Sequence, residues 1–165
     1  MKVRQTKPED LDRIMEIYAC AKQYMIDTGN GTQWKEGYPS RELIEADMKK
    51  QQSFVCVEAE QVHGVFAFIM GEDPTYQVIE GGAWKNNEPY GTIHRIAGDG
   101  EVKGVFSTCL EFCLSKIDNV RADTHENNHT MQHLLEKHGF EHCGMIYLLD
   151  GRPRLAYHYE KKGTI

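Results

Sequence analysis

Two kinds of apolar pattern alternate along the chain. Stretches in which apolar residues recur every three to four positions predict amphipathic helices, and stretches rich in Val, Ile and Phe predict strands. Helices are expected from residue 11 to the glycines at 29 and 31, after residue 40, and over 102–117 and 127–138. Strands are expected over 3–6, 53–59, 63–70, 90–97, 119–124, 140–149 and 155–159, with a further candidate at 75–80.

Polar residues mark where the first two helices begin. Thr6 and Glu9 have the spacing of a capping box, and Pro8 stands where a missing N–H costs little. Ser40 is the expected N-cap of the second helix. The predicted order of elements, βααβββαβαββ, indicates an α/β fold with a mixed sheet. No repeat or low-complexity linker divides the sequence, so a single domain over residues 1–165 is expected.

Composition argues against several classes of protein. The 165 residues carry a net charge of −6, which does not favour a phosphate backbone, so no nucleic-acid partner is expected. The longest apolar run, 65–70, is too short to cross a bilayer, and the N-terminus lacks the apolar stretch of a secretory signal. A cytoplasmic protein without a membrane partner is expected. In that compartment its five cysteines are expected to be free thiols: Cys20, Cys56, Cys109, Cys113 and Cys143.

The strand, turn and helix over residues 93–107 form the first candidate binding feature. A helix N-terminus leaves backbone N–H groups unpaired and carries a partial positive charge. A glycine turn such as Gly98-Asp99-Gly100 lets phosphate oxygens approach those donors, and Lys103 adds a positive charge. Taken alone, this pattern is equally typical of an ordinary turn in an α/β protein.

The helix predicted over 127–138 supplies the second feature. It ends with a glycine and a phenylalanine, which by itself describes a regular helix terminus. The two segments in this order resemble the GNAT superfamily of acyl-CoA N-acyltransferases, whose element order is the one predicted above. The local match follows the family pattern Asn-x-x-Ala-x-x-Leu-Tyr-x-Lys-x-Gly-Phe at Asn128, Leu134, Lys137, Gly139 and Phe140.

The resemblance implies a GNAT-like fold, with a mixed, mostly antiparallel sheet of about seven strands flanked by helices. It implies an N-acetyltransferase that moves an acetyl group directly from acetyl-CoA to an amine, and homodimers are common in the family. The strand at 93–97 would pair with the pantetheine arm, and the following turn and helix would hold the pyrophosphate. The residues expected to bind the co-substrate are Ile96, Ala97, Gly98, Lys103, Gly104, Val105, Phe106, Ser107, Asn128, Met131 and Lys137.

Two departures from the family pattern bear on these expectations. The usual phosphate loop reads Arg/Gln-x-x-Gly-x-Gly/Ala, but alignment on Gly104 puts Glu101 at the first position and Phe106 at the last. Alignment on the preceding strand makes the loop shorter than usual. Leu135 stands where many members have a tyrosine as general acid, so that role does not transfer to this chain.

Acetyl transfer to an amine requires a base or a water chain to take a proton, because a free alkyl ammonium has a pKa of about 10.4. The candidate bases are His94, His125, Glu126 and Glu80, and the candidate acids toward the thiolate are Tyr157 and Tyr147. Each has an ordinary alternative role as a hydrogen-bonded structural residue. Binding both reactants in line accelerates the reaction by itself, so a dedicated base is not obligatory.

Aromatic and acidic residues in two long loops predict the acceptor site. Contacts to the acceptor are expected from Trp34, Tyr38, Glu80 and Trp84, with Asp73 as a further partner for an ammonium group. This set favours a small-molecule amine in a partly enclosed pocket, although the same aromatic residues are equally typical of loop anchors. The alternatives are a protein lysine or N-terminal acetyltransferase, and a noncatalytic acyl-CoA-binding or sensing domain.

Eight histidines raise the question of a metal site. His129 and His133 are four positions apart and share one predicted helix face. No carboxylate or cysteine completes a recognised ligand spacing with them, so no metal is expected.

Overall fold

The computed structural model describes residues 1–162, which contain one seven-stranded sheet in the order β1-β2-β3-β4-β5-β7-β6. All neighbouring pairs are antiparallel except β4 and β5, so the predicted mixed, mostly antiparallel sheet is confirmed. The strands are β1 Lys2–Gln5, β2 Ser53–Glu58, β3 Gln61–Met70, β4 Gly91–Gly98, β5 Asn119–Thr124, β6 Glu141–Tyr147 and β7 Pro153–Glu160.

Four α-helices cover the two faces of the sheet. They are α1 Leu11–Asp27, α2 Arg41–Lys49, α3 Val105–Leu114 and α4 His129–Lys137. The alternation of side chains along a strand divides the core between them. Val55 and Val65 pack with α1 and α2 on one face, whereas the adjacent Cys56 and Phe66 pack with α3 and α4 on the other.

The structure differs from the sequence-based predictions in three places. The candidate strand at 75–80 is wrong: Pro74–Tyr76 is a 3-10 helix, because the Asp73 carboxylate accepts hydrogen bonds from Thr75 and stabilises a turn there. The capping box predicted at Thr6 and Glu9 is not formed: the Lys7 N–H donates to the Asp10 carboxylate over 2.8 Å, and the Thr6 hydroxyl pairs with that of Ser53. Helix α3 begins three residues later than predicted.

Two further predictions, on the cysteines and on membrane-spanning helices, can be compared with the structure. All five cysteines are free, and burial raises the pKa of the Cys109 thiol well above its ordinary value, so this side chain is part of the core. Among the described residues, none of the helices combines the length and apolar character that crossing a bilayer requires.

The parallel pair of strands parts soon after it begins. Strands β4 and β5 are paired only at Gly91 with Val120 and at Thr92 with Arg121, among the residues that the structure describes. Beyond Thr92 the two strands diverge, and the backbone edge of β4 that faces β5 has no strand beside it. This opening in the middle of the sheet holds the candidate site.

Candidate active site

A cavity of about 450 Å³ occupies the opening between β4 and β5. Its apolar wall contains Met25, Trp34, Ile93, Ile96, Phe106, Ala122, Met131, Leu135, Leu148 and Leu149. Its polar wall contains Gln33, Lys35, Tyr38, Asp73, Thr75, His94, Arg95, Asp123, Thr124, Asn128, Asp150, Arg152 and Arg154. A concave site that combines apolar walls with convergent polar groups is the usual form of a small-ligand site.

A bulge in β4 shapes the cavity floor. Val65 of β3 is opposite Ala97 and Ala67 is opposite His94, so one residue of β3 faces two residues of β4. One of the two, Arg95, has φ +54°, a left-handed conformation that costs a non-glycine residue energy and needs support from its surroundings. The Tyr18 hydroxyl supplies part of that support, because it donates to the Arg95 carbonyl over 2.8 Å.

The Arg95 side chain joins the bulge to the helix and loop that cover it. Its guanidinium donates to the Asp47 carboxylate over 2.6 Å and, more weakly, to the Tyr38 hydroxyl over 3.4 Å. Arg95 and Asp47 are both largely buried, so each charge depends on the other. The pair fixes α2 and the loop before it against β4.

His94 and Asp73 form a hydrogen-bonded dyad in the cavity wall, with 3.2 Å between His94 Nε2 and Asp73 Oδ2. Burial tends to raise the pKa of Asp73, but hydrogen bonds from His94 and Thr75 outweigh it and lower the pKa to about 2. The carboxylate is therefore ionised at neutral pH and only accepts hydrogen bonds. His94 Nε2 must carry the proton in this bond, which leaves the Nδ1 lone pair free to accept another.

A second carboxylate, Asp123 at the parting end of β5, also lines the cavity. The Tyr76 hydroxyl donates to Asp123 Oδ2 over 2.5 Å. Burial raises the pKa of Tyr76 well above its ordinary value, so the hydroxyl stays a donor. Asp73 and Asp123 together make one side of the cavity acidic.

The loop over residues 28–40 closes the opposite side. Gln33 Oε1 accepts from Asn30 over 2.7 Å and from Asn128, the N-cap of α4, over 2.9 Å. The Gln33 carbonyl also accepts from Arg154 of β7 over 2.9 Å. Arg152 donates to the Thr32 carbonyl over 3.2 Å. The loop is thus bound to both α4 and the final hairpin across the cavity.

The glycine turn before α3 has the features that a phosphate-binding site needs. Gly104, the N-cap of α3, has φ +92°, and no atom lies within 4 Å of where its Cβ would be, so the backbone there is open to a ligand. The N–H groups of the first helical turn have no intrahelical partner. Asp99 holds the turn in place by accepting from His63 over 2.6 Å and from Arg13 over 2.5 Å. These residues fit a pyrophosphate group.

The predicted co-substrate residues divide into two groups by position. Ile96, Phe106, Asn128 and Met131 line the cavity. The others lie outside it: Ala97 and Gly98 end β4, Lys103, Gly104, Val105 and Ser107 surround the start of α3, and Lys137 is exposed at the end of α4.

Of the predicted catalytic residues, His94 alone lines the cavity. His125 accepts from the Asn127 N–H over 3.0 Å, and burial lowers its pKa. Glu126 is exposed. The Tyr157 hydroxyl is directed to Glu136 of α4 at 3.4 Å, and burial raises its pKa to about 12. A role for His125, Glu126 or Tyr157 in this cavity is therefore not supported by their positions.

The predicted acceptor residues also divide into two groups, one inside and one outside the cavity. Trp34 and Tyr38 line the cavity, whereas Glu80 and Trp84 do not. Glu80 accepts from the Tyr147 hydroxyl over 2.9 Å on the outer surface, and Trp84 stacks over the Arg121 guanidinium at 4.1 Å. Both are away from the cavity because the segment between β3 and β4 folds against the outer side of β5 and β6.

The structure adds cavity residues that the sequence did not single out: Gln33, Asp123, Arg152 and Arg154. Arg152 and Arg154 lie two apart near the end of the final hairpin, and that spacing is the one signal that the sequence offers. Among residues 1–162, His129 and His133 belong to no metal-like cluster. The group that geometry brings together is His63, Asp99 and Glu101, in which Asp99 is already bound to Arg13.

A sheet that opens between two parallel strands, with a glycine turn and helix N-terminus at one end, is the architecture of an acyl-CoA-dependent transferase. A GNAT family acetyltransferase from Streptococcus agalactiae is 35% identical, with a TM-score of 0.89 over 98% of this chain and 96% of that one. The chain belongs to the GNAT family of acetyltransferases, and its activity is acetyl-CoA-dependent N-acetyl transfer.

More distant structures share the fold. An N-acetyltransferase from Staphylococcus aureus is 23% identical, with a TM-score of 0.64 over 97% of this chain and 98% of that one. A ribosomal-protein-alanine N-acetyltransferase from Brucella melitensis is 17% identical, with a TM-score of 0.65 over 97% and 99%. No family model and no curated protein gave a match.

Proposed function

We propose that the acceptor of this N-acetyltransferase is a small-molecule amine, which receives the acetyl group by direct transfer. The observation that supports this is the closed side of the cavity, where the loop over 28–40 is hydrogen-bonded to α4 and to β7. The bound loop partly encloses the acceptor side of the cavity, which Trp34 and Tyr38 line, and an enclosed site of this kind suits a small ligand better than a peptide segment.

In the proposed reaction the acceptor nitrogen bonds to the acetyl carbon, the carbon–sulfur bond breaks, and a free thiol is released. Acetyl-CoA supplies the acetyl group as a reactive thioester. The chain's own contribution is to hold the turn before α3, to shape the opening along β4, and to take the amine proton. His94 suits that last role, because Asp73 orients its ring and leaves Nδ1 free.

This chain has no tyrosine at the position where many family members carry the general acid that protonates the thiolate. Leu135 is fully buried and lines the cavity where a hydroxyl would otherwise stand. One hydroxyl among the cavity residues is that of Thr124, whose Oγ1 is buried and has no hydrogen-bond partner among residues 1–162. We propose that release of the thiolate needs no dedicated acid in this chain, or uses this group.

An acceptor screen tests the proposal. The protein is incubated with acetyl-CoA and either small amines or peptides with free N-termini and lysines, and released thiol is measured. Turnover of small amines, lost by about 100-fold or more in His94→Gln, is expected. Faster turnover of peptides would mean that the loop opens and that the acceptor is a protein. The predicted homodimer is read from the same preparation by its mass in solution.

A further inference from the structure

Among residues 1–162, Arg121 and Arg154 are buried against the sheet and Arg95 is largely buried, and two of these three arginines have evident partners. Arg95 is paired with the Asp47 carboxylate at 2.6 Å. Arg121 lies between two aromatic rings, with its guanidinium carbon 3.8 Å from the Tyr90 centroid and 4.1 Å from the Trp84 centroid. Both charges are therefore compensated within the fold, by a carboxylate in one case and by two ring faces in the other.

Arg154 is the exception. It is 4% exposed and lines the cavity, yet no carboxylate lies within 4 Å of it among residues 1–162. Its guanidinium donates to two backbone carbonyls, those of Pro153 and Gln33, each over 2.9 Å. A guanidinium has five N–H donors, so three of them have no hydrogen-bond partner among residues 1–162. Asp123 and Asp150 act on this charge only from a distance. A buried cation with no carboxylate in contact is costly, and an anionic ligand bound directly to it relieves the cost.

The opposite charge lies close by on the same face of the sheet. Asp123 of β5 is opposite Ala156 of β7, and Arg154 is two residues along β7 from Ala156. Diagonal neighbours of this kind are about 7–8 Å apart at their backbones. Asp73, with His94, stands on the acidic side as well. The cavity therefore offers carboxylates to an ammonium group and a guanidinium to an anion within one short span.

From this arrangement we infer that the acceptor is a small amino acid or a close derivative, whose carboxylate is bound by Arg154 while its amine lies toward Asp73, Asp123 and His94. The inference rests on the proposed function and specifies its substrate class. A planar guanidinium binds a carboxylate through two parallel N–H bonds, which gives both orientation and discrimination. Arg154 is thus a specificity residue that fixes the substrate and takes no part in proton transfer.

A comparison of matched acceptors tests the inference without any mutation. Each common L-amino acid is compared with its carboxamide, in which the amine is kept and the negative charge is removed, by thiol release from acetyl-CoA. For at least one pair, kcat/KM for the amino acid should exceed that for the carboxamide by about 30-fold or more. Equal or better turnover of every carboxamide would overturn the inference.

Arg154→Gln then assigns the preference to this side chain. The variant should lose most of the preference by a fall in kcat/KM for the amino acid, with the carboxamide little affected. Equal losses for both acceptors would mean that Arg154 only holds the loop, and the inference would be wrong. Arg152→Gln is the matched control, because Arg152 donates to the same loop but is already paired with Asp150 at 2.9 Å. It should keep the preference.

Two further results separate the possible failures. Binding of acetyl-CoA by titration calorimetry verifies that each variant is folded, and Arg154→Lys replaces Arg154→Gln if the latter does not bind. The lysine keeps the positive charge but cannot form the two parallel N–H bonds of a guanidinium, so it should retain part of the preference. Good turnover of amines that lack a carboxylate, with none of amino acids, would overturn this inference alone. Bound acetyl-CoA with no turnover of any amine would overturn the proposed function and this inference with it.

Discussion

The dyad of His94 and Asp73 makes a quantitative prediction about catalysis. In Asp73→Asn the side chain keeps its shape but no longer carries the negative charge that accepts the hydrogen bond from His94 Nε2. The pKa of Asp73 is lowered from 3.8 to about 2, and a displacement of that size corresponds to about 2 kcal/mol. Thr75 contributes part of it through its own hydrogen bonds. If the His94 share, about half of this, is lost in the transition state, kcat should fall by about 3- to 10-fold.

The assay is steady-state thiol release with an acceptor found in the screen. Because Asp73 acts through the His94 ring, its effect should disappear once the ring is gone. The double variant Asp73→Asn/His94→Gln should therefore be about as slow as His94→Gln alone. Losses that multiply in the double variant would refute the dyad, and so would a change confined to KM, since either result would give Asp73 an independent role in binding the acceptor.

Three further predictions concern the co-substrate site and stability. Lys103→Ala should weaken acetyl-CoA binding by about two- to fivefold, as for an exposed charge, and unchanged binding in calorimetry would argue against a phosphate contact by Lys103. Gly104→Ala should cost about 1 kcal/mol of stability because of its left-handed backbone, and unchanged urea unfolding would contradict that strain. Asp47→Ala should destabilise the protein by about 3 kcal/mol by leaving Arg95 unpaired, and Asp47→Ala/Arg95→Met should regain part of this in urea unfolding; no recovery would argue against a buried-charge origin. Because the folded-state pKa of Asp73 is lowered, its stabilisation of about 2 kcal/mol is present above about pH 4 and lost as the pH falls toward about 2. The unfolding free energy of Asp73→Asn should therefore depend less on pH in that window than that of the wild type. Equal pH dependence of the two proteins would contradict the assignment.

The fold was largely predictable because each element has a local signal. The strand predicted over 119–124 is observed as Asn119–Thr124, and Ser40 caps α2 as expected. The start of α3 was missed because Val102 continues the apolar spacing, although Gly104 in a left-handed conformation ends the preceding loop. The segment after Asp73 was missed because its apolar residues fit a strand, while the side-chain hydrogen bonds of Asp73 favour a turn.

The site was less predictable because it depends on which face of a strand a residue occupies. His94 was found through its position on the strand that the family resemblance identifies. Tyr157 and Arg154 lie on the same strand but on opposite faces, and the cavity receives Arg154. Alternation alone does not reveal which face meets the opening, because that is set by the pairing of β5 with β7. Asp123 was not predicted for the same reason, because the sequence does not show which face of β5 meets the cavity.

The parting of β4 from β5 gives this sheet two edges in its interior besides the two at its periphery. A free edge invites another chain to add a strand, which is a common route to aggregation. Here the interior edges lie behind Phe106 and Leu135, both buried, so a polypeptide with side chains on each face would have to displace the core to reach them. A slender, unbranched chain meets no such obstacle. The fold thus keeps a hydrogen-bonding edge available to a narrow ligand while withholding it from other proteins.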